Sequence, residues 1–124
     1  MMIKNIMMIA VGGAVGSVLR YIISKWLNEQ GPGDFPWGTF VVNVVGCLII
    51  GLVYAIEEKT GGMEPQLKLF LTVGLCGGFT TFSTFCNESF LLLRHDQLFL
   101  AALYAAASLF AGILAVYIGM RLAG

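Results

Sequence analysis

Four apolar runs, each long enough for a bilayer-crossing helix, alternate with short polar loops, and that alternation limits what the chain can fold into. A hydrocarbon core takes about 20 helical residues to cross. Residues 6–27 form the first run, interrupted only by Arg20 and Lys25. Residues 37–56 carry no charge; Pro36 precedes them and Trp37 suits the interface. Residues 67–93 and 98–122 complete the set. The loops NEQGPGDFP (28–36) and TGGMEP (60–65) collect Gly, Pro and charge, which belong in water or among headgroups. Lipid offers backbone groups no partner, so each run is expected to be a helix. The expected fold is an all-α membrane protein, one four-helix domain over residues 1–124.

Composition supports this. Hydrophobic residues make up 58% and charged ones 11%, and mean hydropathy is +0.87. A soluble domain this small has too little interior to hide that much apolar surface. Seven basic residues balance seven acidic ones with no basic stripe, which argues against a nucleic-acid partner. Cys47, Cys76 and Cys86 lie inside apolar runs without metal-ligand spacing and read as packed, free thiols. Lys4 followed by apolar and then small residues resembles a secretory signal. The apolar pattern continues past Arg20 to Trp26, so a retained first helix is expected. Residues 12–17, GGAVGS, have no preceding strand and do not make a dinucleotide loop.

Four spans put both termini on one side, with Lys4, Lys59, Lys68 and Arg121; Lys25 and Arg94 lie on the other, with Arg20 if it reaches out. So small a positive-inside bias permits insertion in both orientations, and with it an antiparallel dimer. Gly12 and Gly16, and Gly74 and Gly78, form G-x-x-x-G pairs, and alanines lace the fourth span. Such spacing lets helix backbones approach closely in lipid.

Polar groups inside spans point to function because each is costly without a partner. In the third span Gly77 and Gly78 precede Thr80, Thr81, Ser83 and Thr84. Adjacent glycines weaken a helix by about 1 kcal/mol each. A break here, near mid-membrane, is expected; freed carbonyls are tolerated only when buried in protein or lining a cavity. Phe79, Phe82 and Phe85 recur every third residue among these hydroxyls. Ring edges carry the positive part of the aromatic quadrupole and can face an anion without a full charge. Asn43 is the lone amide of the uncharged second span, fit either to donate to an anion or to bond another helix. Arg20 and Glu88 lie six or seven residues from helix ends, where anchoring and function both fit. His95 reads as a solvated loop residue.

The run GGFTTFSTF over residues 77–85 resembles the signature of the Fluc/CrcB family of small fluoride channels. The resemblance extends over nearly the whole chain. Gly12, Gly13, Gly16, Arg20 and Tyr21 resemble the family's first helix. Pro36, Gly38, Thr39, Val42, Asn43, Gly46 and Gly51 resemble its second, and Tyr104, Ser108, Gly112 and Gly119 its fourth. It implies a dual-topology, antiparallel homodimer in a bacterial cell membrane, with two fluoride pores and one structural, non-transported sodium ion. Gly77 and Thr80 match the positions whose carbonyls hold that sodium. Phe82 and Phe85 match the pore phenylalanines, Asn43 the pore asparagine and Arg20 a vestibule arginine. Ser83, Thr84, Tyr104 and Ser108 are candidates for a polar track. Two positions depart from the pattern: Ser17 stands where alanine is common, and Cys86 stands where serine is frequent, removing one hydroxyl.

Two other readings compete. A small dual-topology multidrug transporter shares the size, but proton-coupled export needs a membrane-embedded carboxylate. The first span has none, and Glu88 lies toward a helix end. A non-transporting assembly subunit would explain the packing glycines but not hydroxyls and phenylalanines beside a helix break. No nucleophile–base set or metal cluster suggests an enzyme.

Overall fold

The computed structural model describes residues 1–124 and contains only helices and short connections. Helices α1 (Met2–Gln30) and α2 (Trp37–Thr60) are continuous, as is α6 (Leu98–Ala123). The first two outrun their hydropathy-based bounds by three or four residues at an end and the last by one, because a helix continues into the headgroup region once its backbone bonds are started. The third span is composite. It opens as α3 (Pro65–Leu69), passes through a π-helical stretch, Phe70–Cys76, and a last α-turn, α4 (Gly77–Phe79), then resumes as α5 (Phe82–Arg94). Four segments are thus long and apolar enough to span a membrane: Met2–Gln30, Trp37–Thr60, Pro65–Arg94 and Leu98–Ala123. Only 11–33% of their most apolar stretches is buried within the chain, so most of that surface must face lipid or another protein.

Local signals set the ends. The Glu64 carboxylate accepts the Gln66 and Leu67 N–H groups at the start of α3, and Pro65 supplies a preset φ. Gly61 closes α2 in the left-handed conformation, φ +82°. Between α1 and α2, the Asn28 side-chain oxygen Oδ1 accepts the Gly38 N–H at 2.9 Å.

The helices pair as α2 with α6 and α1 with the first half of the third span, while α5 leans on α6. Close approach depends on glycine. A Cβ at Gly51 or Gly119 would strike the backbone of the facing helix, at Val116 or Leu48. Gly12 and Gly16 sit as tightly on the third span, and a Cβ at Gly78 would lie 2.6 Å from the Gly13 carbonyl oxygen. These contacts put both G-x-x-x-G pairs in one α1–third-span interface.

The interruption falls beyond the glycine pair expected to cause it. Gly77 has ordinary helical dihedrals, φ −61° and ψ −39°. Thr80 (φ −93°, ψ 161°) and Thr81 (φ −152°, ψ 124°) are extended. Gly78 is required for packing on α1, whereas β-branched threonines favour extended backbone. The ends are dressed locally. Thr80 donates both its N–H and its hydroxyl to the Cys76 carbonyl, at 3.0 and 2.8 Å. The Thr81 hydroxyl oxygen accepts the Thr84 N–H at 3.3 Å, capping α5.

Candidate functional site

The break is held from two other spans. Asn43, from α2, accepts the Thr81 N–H on its carbonyl oxygen at 2.8 Å and donates its amide to the Thr81 carbonyl at 3.1 Å. Arg20, from α1, donates Nε to the Gly78 carbonyl at 2.9 Å. The vestibule arginine of the resemblance therefore has its Nε on the broken helix. No backbone or side-chain donor of the chain reaches the carbonyls of Gly77 or Thr80. Those two residues line an open cavity of about 360 Å³ with Asn43, Cys47, Cys76 and Phe82.

Below the break, rings and hydroxyls run toward one mouth. Phe82 and Phe85 have centroids 6.0 Å apart, Phe85 and Tyr104 5.0 Å, and Tyr104 and Phe35 5.3 Å. Tyr104 is fully buried; Phe82, at the other end, is 77% exposed. Phe35 belongs to the α1–α2 loop and lines a second cavity, about 560 Å³, with Asn28, Asp34, Glu88, His95 and Gln97. At the floor of that cavity Glu88 accepts from the Tyr104 hydroxyl at 2.9 Å and from the Thr39 hydroxyl at 3.0 Å. Its carboxylate thereby ties α5 to α6 and α2. One turn beyond Tyr104, the buried Ser108 hydroxyl has no partner within the chain, and neither does that of Ser89.

The expected residues thus fall into two groups. Asn43, Thr84, Phe85, Tyr104 and Ser108 are buried or half-buried around α2, α5 and α6, whereas Gly77, Phe82 and Ser83 face outward on the single chain. From the sequence, Thr39 was marked only as resembling the family's second helix, with no role in the site, and Ser89 was not singled out. A threonine near a helix start and a serine within an apolar helix carry no signal until Glu88 and the orphaned hydroxyl are seen in place. The cysteines are free thiols.

The family model described as "CrcB-like protein, Camphor Resistance (CrcB)" matches residues 7–120. The chain belongs to the CrcB family. Its relatives in that family include a protein of Flavobacterium psychrophilum named "Fluoride-specific ion channel FluC". The two are 47% identical over 120 residues, 97% of each chain. A protein of the same name from Phocaeicola vulgatus is 44% identical over 117 residues, 94% of this chain and 96% of the relative. Another, from Agrobacterium fabrum, is 42% identical over 118 residues, 95% and 94% respectively. The matched region reaches into all four spans and includes both sides of the break and the residues bracketing it.

Proposed function

We propose that this CrcB-family protein is a fluoride-specific ion channel of the cell membrane, a multi-pass protein that lets fluoride leave the cell down its gradient and so limits its toxicity. The observation that carries this reading is near-full-length identity of 47% to a protein named as such a channel, and an amide, hydroxyls and rings gathered from α2, α5 and α6 support it. Fluoride is small and strongly hydrated, so a path for it needs closely placed donors in place of water. Asn43 keeps one amide hydrogen beyond the one given to Thr81. Thr84, Tyr104 and Ser108 supply hydroxyls, and Phe82 and Phe85 supply ring edges. The protein is a channel and not an enzyme.

The conducting unit in this proposal is an antiparallel, dual-topology homodimer. One chain lines only half of a path, since Phe82, Ser83 and Gly77 are outward-facing. A second copy inserted the other way would cover them and supply the facing wall, giving two pores, each with Arg20 toward its vestibule. The helix break would then lie at mid-membrane, where two copies meet. There the Gly77 and Thr80 carbonyls of both chains would hold one sodium ion, structural and not transported. Carbonyl oxygens without internal donors suit a hard monovalent cation, and broken membrane helices use them in this way.

Purified protein in liposomes loaded with potassium fluoride tests the activity. Fluoride should appear outside once the potassium-coupled potential is dissipated, and chloride-loaded liposomes should release none. Equal release of both anions would overturn the selectivity, and no release of either would overturn the function. Replacing sodium on both sides with a bulky organic cation should abolish flux; undiminished flux would remove the sodium from the proposal.

A further inference from the structure

We infer that Asn43 is a positioning residue for the broken third span, pinning the Thr81 peptide groups from α2 so that the break keeps one fixed shape.

Two hydrogen bonds carry this. The Asn43 side chain satisfies both polar backbone groups of one residue, accepting the Thr81 N–H at 2.8 Å and donating to the Thr81 carbonyl at 3.1 Å. A planar amide carries a donor and an acceptor side by side, where an ionised carboxylate only accepts, so the pair works like one rung of a β-ladder across 38 residues of sequence. Thr81 is extended and has no place in either helix ladder. Thr81 is half-buried beside the open cavity, and without Asn43 its N–H and C=O would lose their partners within the chain, which backbone groups inside a span avoid.

The surroundings make the pin decisive for shape. Gly78 is fixed from the opposite element, through the Arg20 Nε at 2.9 Å, where a cation also complements the carboxyl end of the helix. Thr80 is tied back to Cys76 by its own N–H and hydroxyl. The chain between Gly78 and Thr81 is therefore held from α1, from α2 and from itself. The unpaired Gly77 and Thr80 carbonyls keep their directions only while those ties hold. Phe82, the first residue of α5, follows the pinned residue directly and takes its position from it. Asn43 therefore acts on the path through the shape of α5's start as well as by facing it.

The test reads the pinned group itself. Amide proton exchange is followed by residue-resolved nuclear magnetic resonance on the intact protein in lipid nanodiscs. The Thr81 N–H should exchange at least tenfold more slowly than those of Phe82 and Ser83, which begin α5 without an internal acceptor. Asn43→Ala should remove that protection, whereas Asn43→Asp, which retains an acceptor oxygen, should keep most of it. Protection unchanged in Asn43→Ala would overturn the inference, because a residue that only lines the path leaves Thr81 untouched. Should Asn43→Ala fail to fold, the parent decides: Thr81 exchanging as fast as Phe82 and Ser83 overturns the inference.

A second arm rests on the proposed sodium site. The sodium concentration that half-protects the protein from thermal aggregation should rise about tenfold in Asn43→Asp, which loses the bond to the Thr81 carbonyl beside the site. An unchanged midpoint would count against the pin. A parent with no sodium response at all would defeat the sodium reading, and the exchange of Thr81 would still decide the pin.

Discussion

Gly13 and Gly16 lie on the same helix, one turn apart, and the same substitution should have opposite effects at the two positions. A Cβ at Gly13 would have a single neighbour, the Gly74 carbonyl oxygen at 3.9 Å, an ordinary contact. A Cβ at Gly16 would fall well inside van der Waals contact distance of the Leu75 carbonyl oxygen, 2.9 Å from the Phe79 nitrogen and 3.2 Å from the Gly78 carbonyl carbon. All three neighbours are backbone, so no rotamer change can relieve the clash. The third span would have to retreat by on the order of 1 Å to restore contacts near 3.5 Å. Overpacking of that kind costs about 1–3 kcal/mol. Alanine regains roughly 0.5–1 kcal/mol of helix propensity over glycine, which offsets part of the cost at position 16 and nothing opposes at 13. Gly13→Ala should therefore melt at or above the parent, and Gly16→Ala clearly below it, in thermal unfolding followed by size exclusion in detergent. Retreat of the third span also pulls Gly78 away from Arg20, so Gly16→Ala should lose fluoride flux while Gly13→Ala keeps it. Indistinguishable melting of the two variants would refute the interface.

Other substitutions separate the parts of the site. Tyr104→Phe keeps the ring against Phe85 and Phe35 but removes the 2.9 Å donor to Glu88, and should cost about 1–3 kcal/mol of stability in a chemical melt. Unchanged stability would mean that the Glu88 tie contributes nothing. Phe82→Ile retains apolar bulk at a site 77% exposed on the single chain, so it should leave the fold intact while fluoride efflux falls several-fold. Parent-rate efflux from the folded variant would take Phe82 out of the path. In an otherwise cysteine-free protein, with Cys47, Cys76 and Cys86 replaced, Ala123→Cys should be labelled by an impermeant reagent from both sides of the membrane. One-sided labelling of an active protein would defeat dual topology.

Much of the architecture was legible because lipid leaves a chain few choices. Uncharged stretches such as residues 37–56 can only be spanning helices, and the polar loops lie where Pro36, Gly61 and Pro65 stop or start them. The position of the interruption was less legible. Gly77–Gly78 signals a weak helix, yet Gly78 is occupied in packing on Gly13, and the backbone turns extended only at Thr80 and Thr81. The π-helical stretch Phe70–Cys76, which packs against α1, leaves no mark in residue order. The same holds for side-chain partners. That Asn43 meets Thr81, Arg20 meets Gly78 and Thr39 meets Glu88 depends on packing across 38, 58 and 49 residues of sequence. Hydropathy marked these as costly polar groups in spans; only the fold says what satisfies them.

The central claim is passive, selective conduction of fluoride, and a voltage-clamped planar bilayer tests it most directly. With purified protein, a tenfold fluoride gradient and symmetrical chloride, current should reverse about 59 mV from zero, at the fluoride equilibrium potential for a monovalent ion. Its reversal should not move when a proton gradient is added. A reversal potential that stays at zero, or one that follows the proton gradient, would contradict a fluoride channel.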